Sequence, residues 1–305
     1  MAVRNVSFQV LRGETFALVG ETGSGKSTTA LALLGLLDAQ GAVQSGAILV
    51  DGRNLMMLSQ PEWRRIRGGR IGMLFQDSRA ALNPVLTAGA HLVEAIRTHQ
   101  HLSGAQARAL ALELLAAAGV PDPGFHMRRF PFQLSTGLCQ RIGLALAICN
   151  RPELLIADEP TSALDPTIQR QVIELLRNMK DRHRLTLLVI SHDLPLVAGL
   201  ADRIGVMYHG RILECGNADE ILRHAAHPYT QALLDCRPGF RHHHDTRRIH
   251  AIAGSPPTAE TEIPGCPFTP RCGAAQPECA QLFPPDVRIS QTHQAACFRV
   301  AGGEP

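Results

Sequence analysis

No stretch of this 305-residue chain approaches the roughly 20 consecutive apolar residues that span a bilayer; its long apolar runs, such as Ala30–Leu37 and Leu144–Cys149, stop far short. The opening residues, MAVRNVSFQV, lack the basic segment followed by an apolar one that marks a secretory leader. A strong excess of charge is missing too. The formal net charge is +3, spread along the chain, which argues against nucleic acid as the main partner. These absences lead us to expect a soluble cytoplasmic protein that meets a membrane only through a partner. What is present is apolar: 45% of residues against 19% charged, enough for a sizeable core and too much for wholesale disorder. The length suits one large domain with an appendage, or two domains.

The chain also lacks the C-x2-C pairs of common zinc ribbons, although it has eight cysteines. Cys139, Cys149, Cys215 and Cys236 are scattered through periodic segments and read as small buried apolar residues. Cys266, Cys272, Cys279 and Cys297 form C-x5-C-x6-C-x17-C within the last forty residues. In a cytosolic chain such crowding suggests metal before disulfides. Four thiolates suit zinc or an iron–sulfur cluster; four unligated thiols in a Pro-rich tail are the plain alternative. Nothing nearby suggests redox chemistry, so any metal would be structural. His242-His243-His244 lies among Arg241, Arg247 and Arg248 and reads as a solvated linker rather than a nickel site.

Periodicity gives an α/β plan. Val6, Phe8 and Val10 alternate with polar residues, as in a half-buried strand. Strands are expected at Thr15–Val19, Ala47–Val50 (followed by a turn at Asp51-Gly52), Arg70–Phe75, Leu154–Ala157 and Leu185–Ile190. Helices are expected at Ser27–Leu37, across Leu92–Ala118 with a break near Ser103-Gly104, and at Gly137–Cys149 behind a Ser135 start. Others are expected at Pro166–Arg182 and from Asp219 to Arg223. Strands alternating with helices predict a largely parallel sheet. From about Cys236 periodicity fades into Pro, His, Arg and Cys, which places a boundary there.

Gly20-Glu21-Thr22-Gly23-Ser24-Gly25-Lys26-Ser27-Thr28 fits G-x-x-x-x-G-K-[ST] between a strand and a helix, the context that confirms a phosphate-binding P-loop. The glycines let backbone N–H groups curl around phosphate oxygens, and the helix presents its positive end to the same anion. Lys26 can reach the β- and γ-phosphates of ATP and Ser27 can hold Mg²⁺. The buried strand Leu154–Ala157 runs into Asp158 and Glu159. Asp158 is placed to hold the metal through water, and Glu159 to act as general base on an attacking water. The plain alternatives are a Gly-rich turn and a strand-terminal charge pair.

At Leu134-Ser135-Thr136-Gly137-Leu138-Cys139-Gln140-Arg141 the chain resembles the signature motif of ATP-binding cassette proteins. Gln76 follows a strand as the family's Q-loop glutamine does. Ser162-Ala163-Leu164-Asp165 is similar to the D-loop, and Ser191-His192-Asp193 to the switch-histidine segment. The resemblance covers about the first 230 residues. It implies a P-loop cassette: a RecA-like core, a small antiparallel β subdomain and a helical subdomain covering about Asn83–Gln140. It also implies a head-to-tail dimer with ATP held between a P-loop of one subunit and the signature of the other. Ser135, Gly137 and Asp165 would contact that shared nucleotide, His192 the γ-phosphate, and Gln76 the Mg²⁺ and a membrane partner. On its own His192 would be an ordinary strand-end histidine.

Phe75-Gln76-Asp77, Leu82-Asn83-Pro84, His227-Pro228-Tyr229-Thr230 and the run Pro264-Gly265-Cys266-Pro267-Phe268-Thr269-Pro270-Arg271-Cys272 resemble the ATPase subunits of oligopeptide and dipeptide importers; relatives carry nickel or antimicrobial peptides. This closer likeness implies residues 1–235 as the cassette and 236–305 as an irregular, Cys-containing extension. The implied cluster there is [4Fe–4S], with zinc as the alternative. The implied machine has two membrane permease subunits, two ATPases that are paralogues, and an extracytoplasmic binding protein. The chain would sit peripherally on the cytoplasmic face of the inner membrane, without nucleic acid.

Three departures qualify the resemblance. Thr136 stands where the signature has Gly, and its side chain would crowd the backbone's approach to phosphate in the partner's site. Only nineteen residues precede Gly20, whereas the family places a first strand and an adenine-stacking aromatic further upstream. Phe8 is out of place for that role and reads as core. Either the start is assigned too late or adenine is held more weakly. Ser78 replaces a proline of the Q-loop, a change that reads as minor. Two other functions compete with a transport ATPase. One is a soluble cassette protein of translation or repair, which the single compact cassette and cysteine tail disfavour. The other is a degenerate, non-hydrolysing subunit, which Thr136 favours and intact Lys26, Asp158, Glu159 and His192 oppose.

Overall fold

The computed structural model describes residues 1–39, 41–162, 164–236 and 251–303. The His242-His243-His244 run lies outside the described residues. Ten strands occur among them: β1 (Thr15–Val19), β2 (Leu49–Val50), β3 (Arg53–Asn54), β4 (Ile71–Leu74), β5 (Leu154–Asp158), β6 (Thr186–Ser191), β7 (Arg203–Tyr208), β8 (Arg211–Asn217), β9 (Asp286–Arg288) and β10 (Gln294–Ala296). The chain divides into two compact units. One comprises Met1–Val10, Glu14–Thr29 and Ile190–Pro305; the other Leu11–Gly13 and Ala30–Val189.

In the second unit β4 and β5 pair in parallel, from Ile71 opposite Leu154 to Leu74 opposite Ala157. Residues Leu155–Asp158 are all buried, as suits a strand covered on both faces. Arg70, just before β4, donates to both carboxylate oxygens of Glu153, at 2.7 Å each, and to Asp51 at 2.6 Å. Asp51 belongs to the turn of the β2–β3 hairpin and also accepts from Arg12. Exposed as it is, this network adds little stability at the two strand starts.

The helical subdomain packs the helices Ala88–His99, Gly104–Ala117 and Thr136–Ile148 around Leu92, Ile96, Leu115 and Ile142. Ala107 and Ala111, wholly buried, let the helices approach closely. Ser103 breaks the expected long helix in two by forming a capping box: its Oγ accepts from Gln106 N–H, and the Gln106 side chain accepts from Ser103 N–H.

In the first unit β1 pairs in parallel with β7, from Phe16 opposite Arg203 to Val19 opposite Val206. β7 turns back antiparallel into β8, and β10 and β9 extend that edge. Most described residues beyond Cys236 are loops and single turns, as expected, but β9 and β10 bring the extension into the sheet. The buried Glu214 carboxylate of β8 anchors it, accepting from Ala226 N–H, His227 N–H and His293 Nε2–H at 2.7, 3.0 and 2.7 Å. A buried carboxylate is tolerable only with such a set of donors.

Some local expectations are corrected. Val6–Val10 keeps the alternating burial of a strand but has no strand structure; among the described residues no segment supplies the ladder. Phe8 stacks on Phe16, with ring centroids 5.2 Å apart, which agrees with a packing role. The first helix spans Lys26–Leu33, not Ser27–Leu37, because Gly35 turns the chain with φ 60°. Cys236 is half-exposed, unlike the buried Cys139, Cys149 and Cys215.

Candidate nucleotide site

The phosphate loop leaves β1 at Gly20. A side chain there would lie 2.0 Å from the Met207 carbonyl oxygen of β7, so only glycine lets the loop start against that strand. Gly25 adopts φ 102°, which points successive N–H groups into one concavity. Lys26 crosses beneath the loop and donates to the carbonyls of Gly20 and Glu21 at 2.8 and 2.9 Å. Ser24 is pinned on the far side: Gly210 N–H donates to its carbonyl at 2.8 Å. The nested amides, the buried lysine and Ser27 at the helix start fit a triphosphate with Mg²⁺ in donor chemistry. Thr22 and Gly23 are exposed and Thr28 half-buried. His192, exposed, follows β6, where the Ser191 hydroxyl and the Asp193 carboxylate form the start of the helix Leu194–Ala198.

The loop is also held from a direction that sequence reading missed. Glu21 N–H donates to the Tyr229 hydroxyl at 2.8 Å. Both Glu21 carboxylate oxygens accept from the Arg271 guanidinium, at 2.6 and 2.9 Å. Tyr229 and Arg271 belong to the His-Pro-Tyr-Thr and Pro-Arg-Cys segments. Those segments stand out in the sequence, but nothing there links them to a residue 208 and 250 positions away.

In the other unit, Asp158 closes β5 and is buried with Glu159. Glu159 turns the chain with φ 49°, and its carbonyl accepts from both the Ser162 N–H and hydroxyl. Gln76 is exposed just beyond β4. Ser78, read as a minor departure, is buried. Its hydroxyl donates to Gln140 Oε1 at 2.8 Å, and Gln140 Nε2 donates to Pro160 O at 2.9 Å. The segment after β4 is thereby tied to the segment after β5 through the signature helix.

Ser135 and Asp165 both act as helix N-caps. Ser135 Oγ accepts from Leu138 N–H, and Asp165 Oδ1 from Thr167 and Ile168 N–H. Ser135, Thr136, Gly137, Leu164 and Asp165 line one open pocket of about 550 Å³. Thr136 is exposed at its edge.

The four tail cysteines sit near enough for their charges to act on one another, and burial pushes the Cys266 thiol up to about 11. Among the described residues, however, no three His, Cys, Asp or Glu side chains converge closely enough to hold a metal. The expected four-thiol site is therefore not assembled in this arrangement, and no step is routed through it. Among the described residues no helix is long and apolar enough to cross a membrane.

Strand, glycine loop, buried lysine and acidic strand end define a P-loop nucleotide triphosphatase of cassette type. Residues 3–162 match the ABC transporter family, and residues 213–279 match the oligopeptide/dipeptide transporter C-terminal region. The chain belongs to the ABC transporter family, as one of its ATPases. It is 43% identical to a dipeptide transport ATP-binding protein, DppD, of Bacillus subtilis, over 97% of this chain and 88% of that protein. It is 41% identical to DppD of Escherichia coli, over 97% and 90%. With a putative peptide import ATP-binding protein of Brucella abortus it shares 44% over 93% and 85%. Among solved structures it is similar to the dimeric ATP-binding cassette MJ0796 in a post-hydrolysis state bound to ADP and Pi. The TM-score is 0.65 and the identity 29%, covering 71% of this chain and 90% of that one.

Proposed function

We propose that this chain is the ATP-hydrolysing subunit of a membrane importer of dipeptides or oligopeptides. The observation that carries the reading is the pairing, in one chain, of a cassette match with an oligopeptide/dipeptide C-terminal match. In this reading Gly20–Thr28 cradles the phosphates, and Ser27, Gln76 and Asp158 hold Mg²⁺. Held by these residues, Mg²⁺ would supply neutralisation of phosphate charge. Glu159 takes the proton of the attacking water and His192 contacts the γ-phosphate. Ser135, Gly137 and Asp165 complete the nucleotide site of a second, paralogous cassette subunit. Residues 1–235 form the cassette and 236–305 the extension. Two permease subunits and an extracytoplasmic binding protein complete the importer, with the chain peripheral on the cytoplasmic face of the inner membrane. Only the count of Cys266, Cys272, Cys279 and Cys297 and the family likeness favour a [4Fe–4S] cluster, or zinc, and the arrangement of the described residues does not fit one; iron, sulfide and zinc analysis of the purified chain decides.

Uptake by the reconstituted importer in proteoliposomes tests the transport reading. ATP-dependent dipeptide uptake, lost in Lys26→Ala, is expected. Nickel uptake without peptide uptake would overturn the cargo, and ATP turnover indifferent to the binding protein would overturn the coupling.

A second reading concerns symmetry. Thr136 puts a side chain where the signature backbone meets phosphate, which weakens the site holding the partner's P-loop and spares the one built on Lys26. Glu159→Gln should then cost far more ATPase activity than the matching change in the partner. Equal losses would show two equivalent sites.

A further inference from the structure

We infer that Arg271 and Tyr229, both from the C-terminal region, are positioning residues of the phosphate loop, acting through Glu21. The inference rests on reading Gly20–Thr28 as the ATP-binding loop.

Glu21 is the first residue after the glycine at which the loop leaves β1. Its N–H is taken by the Tyr229 hydroxyl at 2.8 Å. Its carboxylate is gripped by two Arg271 nitrogens at 2.6 and 2.9 Å, the bidentate geometry that fixes orientation as well as distance. Its carbonyl accepts from the Lys26 ammonium at 2.9 Å. One residue thus joins the C-terminal region to the lysine expected to meet the γ-phosphate, and a displacement of Glu21 displaces an anchor of Lys26.

The clamp is itself held on several sides. Arg271 donates from Nη1 to the Tyr208 hydroxyl at 3.1 Å and from Nε to the Ala253 carbonyl at 2.9 Å. Its side chain is only 5% exposed, and its guanidinium lies against the Tyr208 and Phe268 rings. Tyr229 is wholly buried, with its ring centroid 4.6 Å from that of Tyr208 and 5.2 Å from that of Phe268. Tyr208 closes β7, the strand whose Met207 carbonyl backs Gly20. A buried arginine adds little net stability over an apolar residue of its size. What it adds here is a fixed geometry at the start of the loop.

The test is equilibrium binding of a fluorescent ATP analogue to the purified full-length chain, with hydrolysis measured in the assembled importer. Arg271→Ala should weaken nucleotide binding and raise the KM for ATP roughly ten-fold while kcat changes by less than about two-fold. Tyr229→Phe, which removes only the hydroxyl, should give a smaller shift in the same direction. Arg4→Ala is the control. Arg4 also holds the tail, through the Ala259 and Thr261 carbonyls, without touching Glu21 in those contacts, and should leave the KM unchanged. The decisive readout is a double-mutant cycle: in a Glu21→Ala background, Arg271→Ala should have no further effect. An unchanged KM in folded Arg271→Ala, or additive losses in the double variant, would overturn the inference. If Arg271→Ala fails to fold, Tyr229→Phe and Arg271→Lys carry the same test. A Lys26→Ala protein that binds nucleotide normally would instead overturn the reading of the loop.

Discussion

Glu159 combines two constraints that rarely meet in one residue. It is buried at the end of β5, and its φ of 49° lies in the left-handed region. Among the described residues Asn5, Asp51 and Asp122 also have positive φ and tolerate it better through short polar side chains, while Arg151, Arg184 and His209 share it without that help. A glutamate has no such excuse, and strain of this kind collects where a side chain must be aimed. Glu159→Gly and Glu159→Ala both remove the carboxylate, but only glycine is at ease in this backbone. The glycine variant should therefore be more stable than the alanine variant by about 1 kcal/mol, a melting difference of about 2–4 °C, the reverse of the order in an ordinary helix or strand. Both should lose ATP hydrolysis in the assembled importer. Thermal melts of the two chains check the first claim, and an alanine variant that melts higher would remove the strain argument. The sequence put Glu159 beside Asp158 at the right strand end. It could not show the turn, because the backbone there follows from the Ser162 contacts to the Glu159 carbonyl and not from residue type.

At the scale of elements, legibility followed local chemistry. The split at Ser103 and the start at Ser135 were visible because a cap is made within four residues of itself. The apparent strand at Val6–Val10 failed because a strand is defined by its partner, which alternation does not supply. The bond made by Ser78 is hidden from the sequence for the same reason: its partner, Gln140, is 62 residues away. That hydrogen bond now carries a prediction. Ser78→Ala leaves the buried Gln140 oxygen without its donor and should cost about 1–3 kcal/mol in denaturant unfolding. Ser78→Pro restores the residue usual in the resembled family and suits the first position of the helix Ser78–Ala81. It lacks the hydroxyl all the same, so it should lose stability too. If both variants unfold at the wild-type midpoint, the Ser78–Gln140–Pro160 chain is not holding these segments.

For the molecule as a whole, the C-terminal region is part of the unit that contains the phosphate loop, and its attachment depends on an uncharged histidine. His227 caps the helix Pro228–Asp235: its Nδ1 lone pair accepts from Tyr229 N–H at 3.0 Å. That leaves the proton on Nε2, which faces the Cys266 sulfur at 4.0 Å. Burial holds its pKa down to about 4, against the opposing pull of the Glu214 carboxylate. Protonating Nδ1 would remove the cap and place a charge in the cluster formed with Phe268. The unfolded chain takes up this proton below about pH 6.5, whereas the folded chain refuses it until about pH 4. Between those values the unfolded state binds more protons, so stability falls as pH falls, by up to about 3 kcal/mol across the window. His227→Asn separates this effect from the titration of other groups, since asparagine can cap the helix and does not titrate. Urea unfolding at a series of pH values should show the wild-type chain losing more stability than His227→Asn between about pH 6.5 and 4, and the two running parallel above it. Because the folded chain keeps His227 neutral down to about pH 4, Tyr229 stays on Glu21 through this window, and nucleotide binding by the folded chain should change through His227 only below it. Parallel stability curves down to pH 4 would mean that the helix start tolerates the charge, and that the C-terminal region is held without His227.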